Sequence, residues 1–156
     1  MTEPTQTTQT AQRAGIDPRG PRFTASVTAV LLATALLVPD AVAATLIAVQ
    51  ALFFAIGVAF GVQRTPTGLV FRRLIRPRLT PPAELEDPTP PRFAQGVGLV
   101  FAVVALVGCL TGAVLVAQVA VGFALVAALL NAVFAFCLGC ELYLLGVRFR
   151  GVRATP

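Results

Sequence analysis

Cys137 and Cys140, within Phe136-Cys137-Leu138-Gly139-Cys140-Glu141, mark the one stretch of this chain where reactive side chains converge. Residues three and four apart are neighbours on a helix, so the spacing puts two thiols and the Glu141 carboxylate on one side. That set supports a redox dithiol, which cycles to a disulfide by thiolate attack, with Glu141 as proton acceptor. It also supports a soft-metal site built from Cys137, Cys140 and Glu141, although three ligands are few and the chain has no His. The plainest alternative is that both cysteines are small apolar fillers at a helix interface. Helical periodicity extends the stripe through Leu144 to Arg148, a candidate charge contact. Burial and the carboxylate would make the thiols less reactive, whereas Arg148 would act the other way. Gly139 would let the backbone relax, as a disulfide inside a regular helix requires. Cys109 reads as a packing residue.

The elements that must position this stripe are membrane spans. Of 156 residues, 56% are hydrophobic and 12% charged, and mean hydropathy is +0.83. A soluble domain carries about 25% charged residues. The apolar runs exceed the roughly 18 residues that mark a spanning helix. Four spans are expected, at about 23–38, 41–62, 93–115 and 120–146, with a loop over 63–92. The last two share an apolar stretch from Phe93 to Val147, in which Glu141 is the only charge. As one helix it would run roughly 80 Å, against a hydrocarbon core of about 30 Å. It must therefore turn once, and the expected turn lies between Gly112 and Gly122, near Gln118. Counting back from Arg148 then puts Cys137 roughly 16 Å below the interface.

Charge gives the orientation. All 12 basic residues are Arg. They precede span one (Arg13, Arg19, Arg22), separate spans two and three (Arg64, Arg72, Arg73, Arg76, Arg78, Arg92), or follow span four (Arg148, Arg150, Arg153). With four spans these segments face one side, which the positive-inside rule makes the cytoplasm. The formal charge of +5 is thereby accounted for by topology, and no nucleic-acid partner is expected. Residues 1–16 read as a disordered cytoplasmic tail, not a signal peptide, and 151–156 as a short C-terminal tail.

Two further patterns stand out. Pro21-Arg22-Phe23 opens span one and Pro91-Arg92-Phe93 opens span three, while Phe54-Ala55-Ile56-Gly57-Val58 echoes Phe136-Cys137-Leu138-Gly139-Cys140. The two hairpins then look like an internal duplication with parallel topology. In the loop, Leu69 to Arg76 mixes apolar and basic residues, so that Arg72, Arg73 and Arg76 are candidate lipid head-group contacts. Thr80 to Pro91 reads as a semi-rigid linker. Gln50 and Asn131 are placed to bond across the bundle.

Asp17-Pro18-Arg19-Gly20-Pro21-Arg22-Phe23, together with Phe136 to Tyr143, resembles the actinobacterial integral membrane family DUF4395. The resemblance runs from Asp17 to Arg150, and the FCLGCE motif is its specific part. It implies no established activity. Members of that family are often encoded near thioredoxin-like or sulfurtransferase proteins, which implies that Cys137 and Cys140 handle electrons or sulfur. The expectation is an all-α, four-helix transmembrane bundle in the plasma membrane with both termini cytoplasmic. Its partners would be the lipid bilayer and a thioredoxin-like or sulfurtransferase protein. No cofactor is predicted, and a homo-oligomer is compatible with the reading. The expected role is thiol redox or sulfur handling. A small transporter of a sulfur species or soft ion, or a structural subunit, is the alternative.

Overall fold

The computed structural model describes residues 15–153, all helix and connecting loop. Its main helices are α1 (Arg19–Ala35), α2 (Asp40–Phe60), α3 (Pro66–Val70), α4 (Thr89–Thr111), α5 (Val114–Phe134) and α6 (Leu138–Arg153). Between α3 and α4 the chain makes a π-helical turn over Phe71–Ile75 and a 3₁₀ turn over Arg76–Arg78. The expected tail over 1–16 falls outside the described residues except at its end. There Ile16 is buried and pairs its backbone with Glu86.

Local sequence sets the helix ends. Proline suits a first turn, where its missing N–H is not needed, and Pro21, Pro90 and Pro91 all lie in first turns. Asp17 closes the start of α1: its carboxylate accepts the backbone N–H of Arg19 at 3.0 Å and pairs with the Arg19 guanidinium. Burial pushes that carboxyl upward, but the bonds from Arg19 outweigh it and hold the group below its usual 3.8. Phe60 is followed by Gly61 and Thr111 by Gly112, both with positive φ. Left-handed residues end helices, and glycine takes that conformation at no steric cost.

Three helices, α2, α4 and α5, are long and apolar enough to cross a membrane, each with a mean hydropathy of 2.3 over its best window. They mark a membrane protein in contact with lipid. Helix α1 has 17 residues and begins with Arg19 and Arg22, and so falls just short of that length. The packing follows membrane logic. Buried positions are mostly small: Ala25, Ala29 and Ala35 in α1, Ala102 and Ala105 in α4, and Ala117, Ala120, Ala124 and Ala128 in α5. Large side chains point outward, among them Leu110 at 75% exposure and Leu115 at 73%. Between helices in lipid there is no hydrophobic drive, so small residues that permit close backbone approach form the contacts. Gln50, 2% exposed, donates to the Thr28 hydroxyl at 3.2 Å across α1 and α2, a bond of the kind expected for it.

Helix α2 packs on α4 and α1 on α5, with α4 and α5 joining the pairs. Arginine completes both pairings at one end. Arg92, at the start of α4, donates to the last-turn carbonyls of α2 at Val58 and at Ala59 (2.9 Å). Arg22, at the start of α1, donates to Ala132 O near the end of α5 at 3.3 Å. A cation at a helix C-terminus meets free carbonyls and the negative end of the dipole.

Two sequence expectations change. The turn in the long apolar stretch is Gly112-Ala113, six residues before Gln118, which lies inside α5. The stretch also turns a second time. Residues 120–146, expected as one helix, are split at 135–137 into α5 and α6.

Candidate functional site

The second break builds the site. Helix α5 ends at Phe134, and Ala135 takes the left-handed conformation, φ 56°. Its N–H bonds Asn131 O at 3.1 Å, and the next N–H, of Phe136, reaches Leu130 O at 3.2 Å. Two carbonyls of the last turns of α5 are thereby satisfied. An alanine in this region is strained by about 1 kcal/mol.

Cys137 is the residue from which α6 starts. Its carbonyl accepts the first helical bond, from Glu141 N–H at 3.0 Å. Its Sγ accepts the backbone N–H of Cys140 at 3.3 Å. Cys137 is therefore the helix cap, a place where Ser, Thr, Asp or Asn usually stands, and here sulfur fills it. The two sulfurs are joined as a Cys137–Cys140 disulfide, with Cα atoms 5.2 Å apart, inside the range such a bond spans.

The glycine between them has a different task from the one expected. A Cβ on Gly139 would come within 2.6 Å of Ala94 Cα and Cβ, so Gly139 is where α6 crosses α4. Phe93 and Tyr143 flank this crossing with ring centroids 5.7 Å apart. Ala94 is two residues beyond Arg92. The disulfide thus lies at the arginine-bearing end of the bundle, level with the first turns of α4.

The other candidate residues are dispersed. Glu141 is exposed one turn along α6, and no group of three or more metal-binding side chains forms among the described residues. Arg148 is exposed further along α6. The only ion pair among the described residues is Arg19–Asp17. Arg72 and Arg76 face a surface cleft that Arg73 does not line. Cys109 is half-buried in α4 and borders a small cavity, about 110 Å³, that also meets Asp40 and Gln118.

Sequence reasoning missed the cap because nothing polar or proline-like marks the break. One faint signal exists: Phe134-Ala135 ends α5 much as Phe60-Gly61 ends α2.

The model of the family described as Domain of unknown function (DUF4395) matches residues 16–148, and the chain belongs to that family. No curated protein and no solved structure matches it.

Proposed function

We propose that this DUF4395 protein is a multi-pass membrane protein that performs thiol–disulfide exchange through Cys137 and Cys140. The observation that carries the reading is the disulfide at the start of α6, with the Cys137 sulfur capping the helix. Backbone N–H groups and the positive end of the dipole favour a thiolate over a thiol at a helix N-terminus. Upon reduction, Cys137 is then the thiolate and Cys140 its resolving partner.

The exchange balances with a dithiol protein of the thioredoxin-like class. A partner thiolate attacks the Cys137 sulfur, a mixed disulfide forms, and Cys140 leaves and takes up a proton. The second partner thiol loses its proton and attacks the partner sulfur of the mixed disulfide. Cys137 leaves as thiolate, and the partner departs oxidised by two electrons. Glu141, exposed in the first turn of α6, is the carboxylate assigned to exchange protons there.

Topology supports this placement. Counting α1 with α2, α4 and α5 as spans puts every arginine on one side, the cytoplasm by the positive-inside rule, which is where a soluble partner would reach the disulfide. The reciprocal bonds of Arg22 and Arg92 support an origin of the two hairpins by duplication.

The test is disulfide trapping with the purified full-length chain in detergent. Cys140→Ser, which leaves Cys137 free, should attack a thioredoxin-like protein whose single attacking cysteine carries a thionitrobenzoate disulfide, releasing thionitrobenzoate and leaving a stable mixed disulfide, whereas Cys137→Ser should trap little. Iodoacetamide labelling of Cys137 in the Cys140→Ser variant should rise with a midpoint below the free-thiol value of about 8.5. Equal trapping by both variants, or by neither, would remove the exchange reading.

A further inference from the structure

We infer that the cleft between the π-helical turn and the proline-rich segment after it binds a phosphate group, held by Arg72 and Arg76. This site is separate from the disulfide and does not depend on it.

Both walls are fixed to the same anchor. On one side Phe71 is buried, with its ring centroid 5.9 Å from that of Phe23 in α1. The π-helical turn that follows carries Arg72, and Arg76 comes next, four residues on. Side chains four apart lie on one side of a helical turn, and π-helical turns concentrate at functional sites. On the other side, Arg19 donates to Thr80 O at 2.8 Å while Asp17 holds Arg19 in place. The cleft between them measures about 420 Å³.

Charge states what it would take. No carboxylate lines the cleft. The nearby acid, Asp17, is already paired with Arg19, so the charge of Arg76 reaches it only at a distance. Two guanidinium groups one turn apart repel unless an anion lies between them. Their planar, multiple donors match phosphate oxygens better than a point charge does. The facing wall offers few donors, because Pro77, Pro81 and Pro82 lack an N–H, which leaves recognition to the arginines. Arg78 is not free to join them, since it bonds back to Leu74 O at 2.9 Å.

The phosphate has two available sources. Leu74 and Leu79 are exposed beside the cleft, 54% and 40%, at the end of the bundle where the helices leave the bilayer. An anionic lipid would place its phosphate between the arginines and its chains along these leucines. A soluble phosphate would use the arginines alone.

Thermal unfolding of the full chain in a neutral detergent tests this. The probes are short-chain phosphatidylglycerol, short-chain phosphatidylcholine and inorganic phosphate. Phosphatidylglycerol should raise the melting temperature of the wild type, and the Arg72→Gln/Arg76→Gln double variant should lose that shift. Arg73→Gln, outside the cleft, should keep it. A shift with phosphatidylglycerol alone supports a head-group phosphate, and an equal shift with inorganic phosphate supports a soluble one. No shift with either probe, the same shift in the double variant, or an equal shift with phosphatidylcholine overturns the site. Combined with Cys140→Ser, the double variant should still trap the activated thioredoxin-like protein through Cys137, which separates failure here from failure of the exchange reading.

Discussion

The chain passes from a long helix into a shorter one twice, each time through a residue of positive φ and a side-chain cap, but with different residues and a different turn. At the first passage, Phe60 is followed by Gly61, with φ 89° and ψ 153°, and α3 starts from Thr65, whose hydroxyl accepts the Gly68 N–H at 3.1 Å. At the second, Phe134 is followed by left-handed Ala135, and α6 starts from Cys137, whose sulfur accepts the Cys140 N–H at 3.3 Å. The first uses the residue that takes positive φ without strain and the atom that caps well. It also buries the cap: Thr65 is 0% exposed and bonds Val62 O and the Thr67 hydroxyl, which in turn donates to Thr24. The second uses a strained alanine and a weak sulfur acceptor, and leaves Cys137 partly open. The first passage shows that a helix end can be held by better capping atoms than sulfur, and the proposal of thiol–disulfide exchange draws on that contrast.

Substitutions can break this contrast. The largest effect is expected at Gly68. A Cβ there would run into Val62 O and come within 3.1 Å of the Gln63 backbone, which has no room to give. Gly68→Ala should destabilise the chain by about 2–3 kcal/mol, at the upper end for overpacking, read by denaturant unfolding in detergent. Gly139→Ala only pushes α6 away from α4, and should cost clearly less. A cost as large as that of Gly68→Ala would make the second passage as structural as the first, and the contrast would fail.

The caps come next. Thr65→Ala should lose about 1–2 kcal/mol, the range for a helix cap. Measured against the reduced wild type, so that loss of the disulfide is not counted, Cys137→Ser keeps a capping atom and should change stability by less than about 0.5 kcal/mol, while cutting partner trapping to little. If Cys137→Ser proves as destabilising as Thr65→Ala, the sulfur is there for structure. The smallest effect is expected at Ala135. Ala135→Gly should stabilise by up to about 1 kcal/mol by relieving the left-handed alanine. A loss of stability would show that the strain argument is wrong.

Much of the helical architecture was legible because long apolar runs have few ways to fold in lipid. Pro39-Asp40 and Gly61 punctuate the first hairpin, and the boundaries of α1 and α2 fall within a few residues of those expected. The second hairpin was harder to read. Glycines punctuate the stretch from Phe93 to Val147, but the decisive break falls at an alanine, where nothing in composition signals it. Angular reasoning that ran one helix through Cys137 therefore put Glu141 and Arg148 on one regular stripe with the thiols, whereas the helix starts only at Leu138 and both charged residues are exposed along it. The spacing of the cysteines was informative for a different reason: three residues is also the distance from a cap to the N–H it binds. Of the three arginines expected to meet lipid head groups, Arg72, Arg73 and Arg76, only Arg72 and Arg76 line the cleft. Its far wall depends on Arg19 reaching Thr80, 61 residues away, a contact that no local pattern encodes.

The crossed arginines have a consequence for biogenesis. When α2 is made, its carbonyls at Val58 and Ala59 still lack the guanidinium of Arg92, which is made 33 residues after Ala59. Arg22 waits 110 residues for Ala132. Neither half is finished when it is synthesised, and each carries the latch for the other. The disulfide-bearing helix follows in sequence just after Ala132, the acceptor of the second latch.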